Sequence, residues 1–535
     1  MAAMDAATTP RALPTKRADM WPDSTARRVI GTVREKATTP AKPQAIPFRG
    51  TGSGRAINSV ALLCAFMNDS SSARIAADLA AWLASAPPGA RLPSTRELAA
   101  RHAASPVTVQ SALRSLTARG LIETRPGVGT FVAAARRARP QDYSWQTGSL
   151  GAAGQALPTT SAALRATRPD AIALHSGYPD RELLPERLVR AAVTRATRSD
   201  AALQRSDSAG STGLRVWFAS ELAAQTPAQI TPPSAQDVIV LPGSQLGLGA
   251  LFRSIAGSRN TMLIESPTYW GAILAARQVG VTLIPIPTGT DGPDLDALDR
   301  AFSETGARGF YAQPNYANPT GAQWSRLTGD TVLKIVRSHR AFLIEDDWAH
   351  DFGITTDAVP LAARDDSGHV VYLRSLTKSI SPAIRVAAVI ARGPIRTRLL
   401  SELQAQSMYV SGLLQAAALD VVSQPGWQTH RRALRKQLRH RRDLLVDALT
   451  SRVSDATIAS VPPGGLNLWV RLPDTVDLDR LVQDAEARGL AIAGGDEWFP
   501  AEPAGRYLRL NFAGPDPAGF EQAAILLDDS LAAQR

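Results

Sequence analysis

From about residue 169 to the C-terminus, short β-rich apolar runs alternate with helical stretches, and this alternation limits the fold more than any other property of the sequence. Strands joined through helices run parallel, and a parallel sheet must be covered on both faces. Residues 169–535 are therefore expected to form a doubly wound α/β domain with a mostly parallel sheet. In such sheets ligands collect beyond the carboxyl ends of the strands, so the polar residues that follow each β-run are the first place to look for chemistry.

Five such places stand out. Gly243-Ser244-Gln245 follows Asp237-Val-Ile-Val-Leu241 and opens a helical stretch, whose N-terminus could hold a phosphate or be a simple capping turn. Tyr269 follows Thr261-Met-Leu-Ile-Glu265, an aromatic that either stacks on a flat ring or packs in the core. Asn318-Pro-Thr-Gly321 follows Gly309-Phe-Tyr-Ala-Gln313, either as a plain turn or as a hydrogen-bond donor. Glu345-Asp346-Asp347-Trp348 follows Ala341-Phe-Leu-Ile344. Arg509, in Tyr507-Leu-Arg-Leu-Asn-Phe512, is a candidate for a substrate carboxylate or an ordinary strand arginine.

A sixth segment gives the set a direction. In Ser375-Leu-Thr-Lys378-Ser-Ile-Ser-Pro-Ala-Ile-Arg385 a lysine lies between a hydroxyl and an arginine. Alone it reads as a pyridoxal phosphate anchor or as a surface lysine after a strand. As an anchor, the Lys378 amine forms a Schiff base with the cofactor aldehyde while Ser375 and Arg385 hold the phosphate. The other segments then acquire roles: Ser244 and Gln245 at the phosphate, Tyr269 on the ring, Asn318 at the phenolate, and Asp346 keeping the pyridine nitrogen protonated.

The charge is unevenly spread. The chain of 535 residues has a net charge of +11, and residues 1–140 carry 20 Lys and Arg against 8 Asp and Glu, leaving 59 − 20 = 39 basic and 48 − 8 = 40 acidic residues beyond. A basic head on a neutral body points to a polyanion at the head, nucleic acid before membrane. The single cysteine, Cys64, excludes an intramolecular disulfide framework and fits a reducing cytosol. With neither a signal-peptide plan nor an apolar run long enough to cross a bilayer, a cytoplasmic protein is expected.

Residues 1–66 lack periodicity and are expected to be a disordered basic extension, or to follow from an upstream start codon, since Met67 lies just before the first well-patterned helix. Residues 134–168 read as a linker. Between them, residues 67–133 carry dense helix and turn signals. Ser94 and Glu97 form a capping box, and Ser105-Pro106 sets an N-cap and a first-turn proline for a second helix. The segments Leu121–Arg125 and Gly129–Val132 flank the turn Pro126-Gly127 as a hairpin. This is the plan of a winged helix-turn-helix, with Ser105, Thr108, Gln110, Ser111 and Arg114 on the groove-facing helix and Arg96, Arg125 and Gly127 placed for the DNA backbone.

Leu92-Pro-Ser-Thr-Arg96 and Gly127-Val-Gly-Thr-Phe-Val132 resemble the head of the GntR family of bacterial regulators. That family's recognition helix commonly starts Ser-Arg, whereas Pro106 stands here, so one groove contact is missing. The order of phosphate loop, aromatic, Asn, Asp, Lys and two Arg over residues 170–530 resembles the fold type I aminotransferases. Head and body together resemble the MocR subgroup, which implies a transcription factor that binds double-stranded DNA, pyridoxal phosphate and a small amino acid or amine effector, as a homodimer. Two departures from the aminotransferase pattern fall in the site. Trp348 stands where a tyrosine usually donates to the cofactor phenolate, and Arg205 where a partner-subunit tyrosine usually touches the phosphate. Neither suits an efficient transaminase, so sensing is expected over turnover, with catalytic transamination as the alternative.

Overall fold

The computed structural model describes residues 70–133, 145–150 and 161–535 other than 515; the extension 1–66 and most of the linker 134–168 lie outside these residues. The described residues divide between Thr147 and Gly148 into two compact units.

In the first unit α1 (Ser71–Leu83), α2 (Thr95–Arg101) and α3 (Pro106–Ala118) are followed by β1 (Ile122–Arg125) and β2 (Gly129–Val132). The capping box is realised in both directions: Ser94 N donates to Glu97 Oε2 at 2.8 Å, and Glu97 N donates to Ser94 Oγ at 3.2 Å. Each bond satisfies an amide that the first helical turn leaves without a partner. α3 begins as its sequence dictates, with Ser105 Oγ accepting from Thr108 N and Pro106 in the first turn. Ile75, Leu79, Leu98, Val109, Leu116, Ile122 and Val132 form one apolar core. β1 and β2 pair antiparallel from Ile122 with Val132 to Arg125 with Gly129. Gly127 in the turn has φ +76°, a left-handed conformation that favours glycine.

In the second unit, among the described residues, eight strands form one sheet in the order Val238–Leu241, Ala387–Ile390, Val370–Ser375, Phe342–Asp347, Gly309–Ala312, Thr261–Ser266, Thr282–Gly289 and Gly292–Pro293. The central pairings are parallel. Ala387–Ile390 runs against both of its neighbours, a reversal that its uniformly apolar sequence does not announce.

Alternate strand residues feed opposite faces, as the two-residue period requires. Met262, Ile264 and Ile344 join the core under the helices Ser244–Ala256, Trp270–Gln278 and Pro394–Ser407. Leu263 and Leu343 join the opposite core under Leu295–Thr305 and Arg326–Ser338. The helices Thr212–Ala223 and Gly412–Ser423 cover Val238 and Val240. This is the doubly wound arrangement expected from the alternation. A helix of 28 residues, Pro425–Arg452, then leads to an antiparallel sheet of Thr457–Ile458, Asn467–Leu472, Arg506–Asn511 and Ala493–Gly494. No helix among the described residues is long and apolar enough to cross a membrane.

Candidate functional site

The parallel strands end on a common edge, and the loops beyond it enclose a cavity lined by Tyr178, Ser244, Gln245, Tyr269, Gln313, Asn318, Asp346, Trp348, Ser375, Thr377, Lys378 and Arg385. Every residue the sequence assigned to the cofactor is there except Arg205, which is exposed and is not one of the residues lining its own chain's cavity.

Lys378 sits in a helical turn directly after Val370–Ser375, pinned by Leu376 N donating to Val386 O and Ile380 N donating to Leu376 O. Its amine lies 4.0 Å from the centre of the Trp348 ring and 6.0 Å from the rings of Tyr178 and Tyr269. Burial pushes the amine down to about 7; the charge of Arg509 adds to this, Asp346 opposes it, and Arg385 lowers it further. A lysine held there is about half neutral near pH 7, and the neutral amine is the form that attacks a carbonyl.

Asp346 is 2% exposed. Its Oδ2 accepts from Tyr311 OH at 2.7 Å and from Gln313 Nε2 at 3.0 Å. Burial raises its pKa; the hydrogen bonds of Tyr311 and Gln313 and the charge of Lys378 pull the other way. Gln313 also accepts from Asn318 N at 2.8 Å, so one amide side chain positions both polar residues. At the end of the cavity formed by Ser244 and Arg385, Gly243 has φ +89°, and a Cβ there would come within 2.6 Å of Arg385 Nη2. That glycine lets the backbone before helix Ser244–Ala256 close onto the arginine. Gln245 Nε2 donates to Gly271 O and its Oε1 accepts from Tyr269 OH at 3.1 Å.

The cavity fits a flat, phosphorylated aldehyde. Asp346 Oδ1, Asn318 Oδ1 and Thr377 Oγ1 are buried without a hydrogen-bond partner among the described residues. Such orphaned groups are costly unless a ligand completes them. Asp346 Oδ1 suits a protonated ring nitrogen, and Ser244, Ser375 and Arg385 suit a phosphate.

Two residues differ in detail from the sequence reading. Trp348 does not offer its N–H to the cavity: Nε1 donates to Tyr316 O at 3.1 Å, and the ring face turns to Lys378. Arg509 does not line the cavity. It is 1% exposed, donates to His175 O at 2.6 Å and Asn467 Oδ1 at 3.2 Å, lies over Trp498, and keeps Nε without a hydrogen-bond partner among the described residues. Burial lowers its pKa to about 10. Tyr178, Tyr311, Gln313 and Thr377 escaped the sequence reading. For Gln313 a signal existed, a polar residue at the end of a wholly buried strand; Tyr178 stands in a loop without one.

On the head, Arg96, Gln110 and Arg114 are exposed and Thr108 is half-buried. Ser105 and Thr108 bond each other's hydroxyls at 2.8 Å, so both are engaged in capping α3. Arg125 pairs with Glu123, and its guanidinium lies 4.8 Å from the centre of the Phe131 ring. Val107, 70% exposed at the start of α3, presents an apolar side chain that the sequence reading passed over.

The model of aminotransferase class I and II matches residues 172–525, and that of the bacterial regulatory proteins of the gntR family matches residues 71–132. The chain is 25% identical over 435 residues to the HTH-type transcriptional regulator YdfD of Bacillus subtilis, covering 80% of this chain and 89% of that one. It is 27% identical over 441 residues to MocR of Rhizobium meliloti, named as a probable rhizopine catabolism regulatory protein, covering 80% and 86%. Among solved structures, LysN, the α-aminoadipate aminotransferase of Thermus thermophilus complexed with N-(5'-phosphopyridoxyl)-L-leucine, superposes with a TM-score of 0.64 at 25% identity, covering 68% of this chain and 93% of that one.

Proposed function

The chain belongs to the aminotransferase class I and II family and carries a gntR-type head, which makes it a pyridoxal-phosphate-dependent DNA-binding regulator, and from that premise we propose that its body senses an amino acid or amine, or pyridoxal phosphate itself, rather than turning substrate over. Bound in the cavity, pyridoxal phosphate supplies an aldehyde that attaches amines reversibly and a ring that withdraws electrons. The protein does the rest. Lys378 provides the resident amine, Asp346 holds a proton on the ring nitrogen, Asn318 meets the phenolate, Tyr269 packs on the ring, and Ser244, Gln245, Ser375 and Arg385 hold the phosphate.

Lys378, under the Trp348 ring, would be the amine that an incoming amino acid displaces, and Arg509, buried with its Nη atoms on Asn467 and His175 O, would have to turn from them to meet that ligand's carboxylate. In a homodimer, Arg205 of one protomer serves the phosphate site of its partner. The head binds operator DNA through Arg96 and Arg114 at the phosphates and base edges, with Thr108 and Gln110 on the same face of α3.

One observation carries this reading: a lysine amine 4.0 Å from the centre of the Trp348 ring, among buried polar atoms that lack partners among the described residues, in a chain whose other unit is a winged helix. The same amine could serve as the proton-transfer base of a transaminase, which keeps turnover as the second reading. The test is to measure binding of the purified holoprotein to its own upstream DNA against random DNA of equal length. A clear preference, altered when the cofactor is removed, is expected. Equal affinity for both would remove the regulator.

A further inference from the structure

Residues 430–442 carry seven Lys and Arg and no Asp or Glu, so a body of nearly balanced charge contains one strongly positive stretch. It lies within the long helix Pro425–Arg452. Five of the seven reach other elements of their own unit: Arg431 meets Asp351 at 3.3 Å, Arg435 Gly353 O at 3.0 Å, Arg439 Ile354 O at 3.0 Å, Arg441 Glu182 at 3.3 Å, and Arg442 Pro462 O at 2.8 Å. Arg432, Lys436, Arg439 and His440 are exposed and line an open groove along the helix.

Their spacing of four, three and one places them on one face, and the like charges of Arg432, Lys436 and Arg439, four and three residues apart, repel. Arg439 bonds a neutral carbonyl and has no acid partner among the described residues. Asp443, the acid at the end of the groove, is taken by Arg442. From Arg432 to His440 the helix rises about 12 Å, which covers three to four base-pair steps of duplex axis at about 3.4 Å each. The groove's other lining residues include Thr429 and Ala433, neither of them the large apolar side chain that a membrane surface takes up. A duplex that runs on beyond the head's site carries the complementary charge.

We propose that the outward face of helix Pro425–Arg452 is a second DNA-backbone contact, used by the duplex flanking the operator. This rests on the regulator reading. The contact reads no sequence; it lengthens the footprint and adds to the salt dependence.

The experiment compares the full-length holoprotein with Arg432→Gln/Lys436→Gln on two duplexes, one just covering the operator and one extended by several helical turns on each side, over a range of salt. Both residues are exposed and away from the cavity, so the cofactor absorbance and melting temperature should match those of the wild type. The extended duplex should bind the wild type more tightly. The double variant should lose that gain, about tenfold at low salt, with its log–log salt slope on the extended duplex reduced by about 2, at about 0.9 per phosphate contact. Its affinity for the short duplex should be unchanged. Lys436→Glu alone should reproduce at least half of the loss.

A double variant that keeps both the gain and the slope overturns the inference. So does one whose mass in solution falls to a smaller oligomer, since the face would then be an interface between copies. A wild type without operator preference removes the regulator reading and this inference with it.

Discussion

With its amine pushed down to about 7, chiefly by burial and then by Arg509, Lys378 should react with an aldehyde far below the pH at which an ordinary lysine, near 10.4, does so. Because the folded pKa is depressed, the neutral amine is scarce below pH 7 and dominant above it. Covalent uptake of pyridoxal phosphate by the cofactor-free protein should therefore accelerate as pH rises through about 7 and level off by about 8. A rate still climbing between pH 9 and 10 would mean an amine in water. Borohydride should fix the cofactor to the wild type and to nothing in Lys378→Ala. Trp348 supplies a second test. Its N–H serves the buried carbonyl of Tyr316 and not the cavity, so Trp348→Phe should cost about 1–3 kcal/mol of stability by leaving that carbonyl unpaired, with the visible band in place. A large band shift without loss of stability would restore the indole as a cofactor donor. The lysine and its phosphate-holding flanks were legible because they are neighbours in the chain. Tyr178, and the bonds of Arg509 to His175 and Asn467, were not, because those partners meet only through the fold.

The helices and strands divide in the same way. Caps are local chemistry, and Ser94 with Glu97 and Ser105 with Pro106 set α2 and α3 where the sequence places them. Ser94→Ala should destabilise the head by about 1 kcal/mol, visible as a lower melting temperature of its transition. On α3, Arg114 is exposed, while Arg125 in β1 is already engaged by Glu123 and Phe131. Arg114→Ala should weaken operator binding by about 1–3 kcal/mol, and Arg125→Ala by less, as fluorescence anisotropy at fixed salt would show. The reverse order would shift the principal contact to the wing. The antiparallel direction of Ala387–Ile390 was not legible, since a short run buried on both faces carries no mark of its polarity. The charged face of helix Pro425–Arg452 escaped for another reason: a net balance over residues 141–535 averages a basic face against acids elsewhere.

At the scale of the whole chain, the division into basic head and neutral body and the order of six polar segments were enough to name both units. What joins them in action was not legible, because coupling depends on how two folded units and two chains respond to one ligand. The central claim is that amine exchange at Lys378 changes DNA affinity, and thermodynamic reciprocity makes it measurable from either side, since operator DNA must alter effector affinity by the same factor. The most direct measurement is a titration of candidate amino acids into the holoprotein, with and without operator DNA, following the visible absorbance, together with an assay of keto acid consumption. The account predicts a persistent spectral change, an equal factor in both directions, and turnover far below the roughly 10 s⁻¹ typical of enzymes. Turnover near that rate, with DNA affinity indifferent to the amino acid, would contradict it.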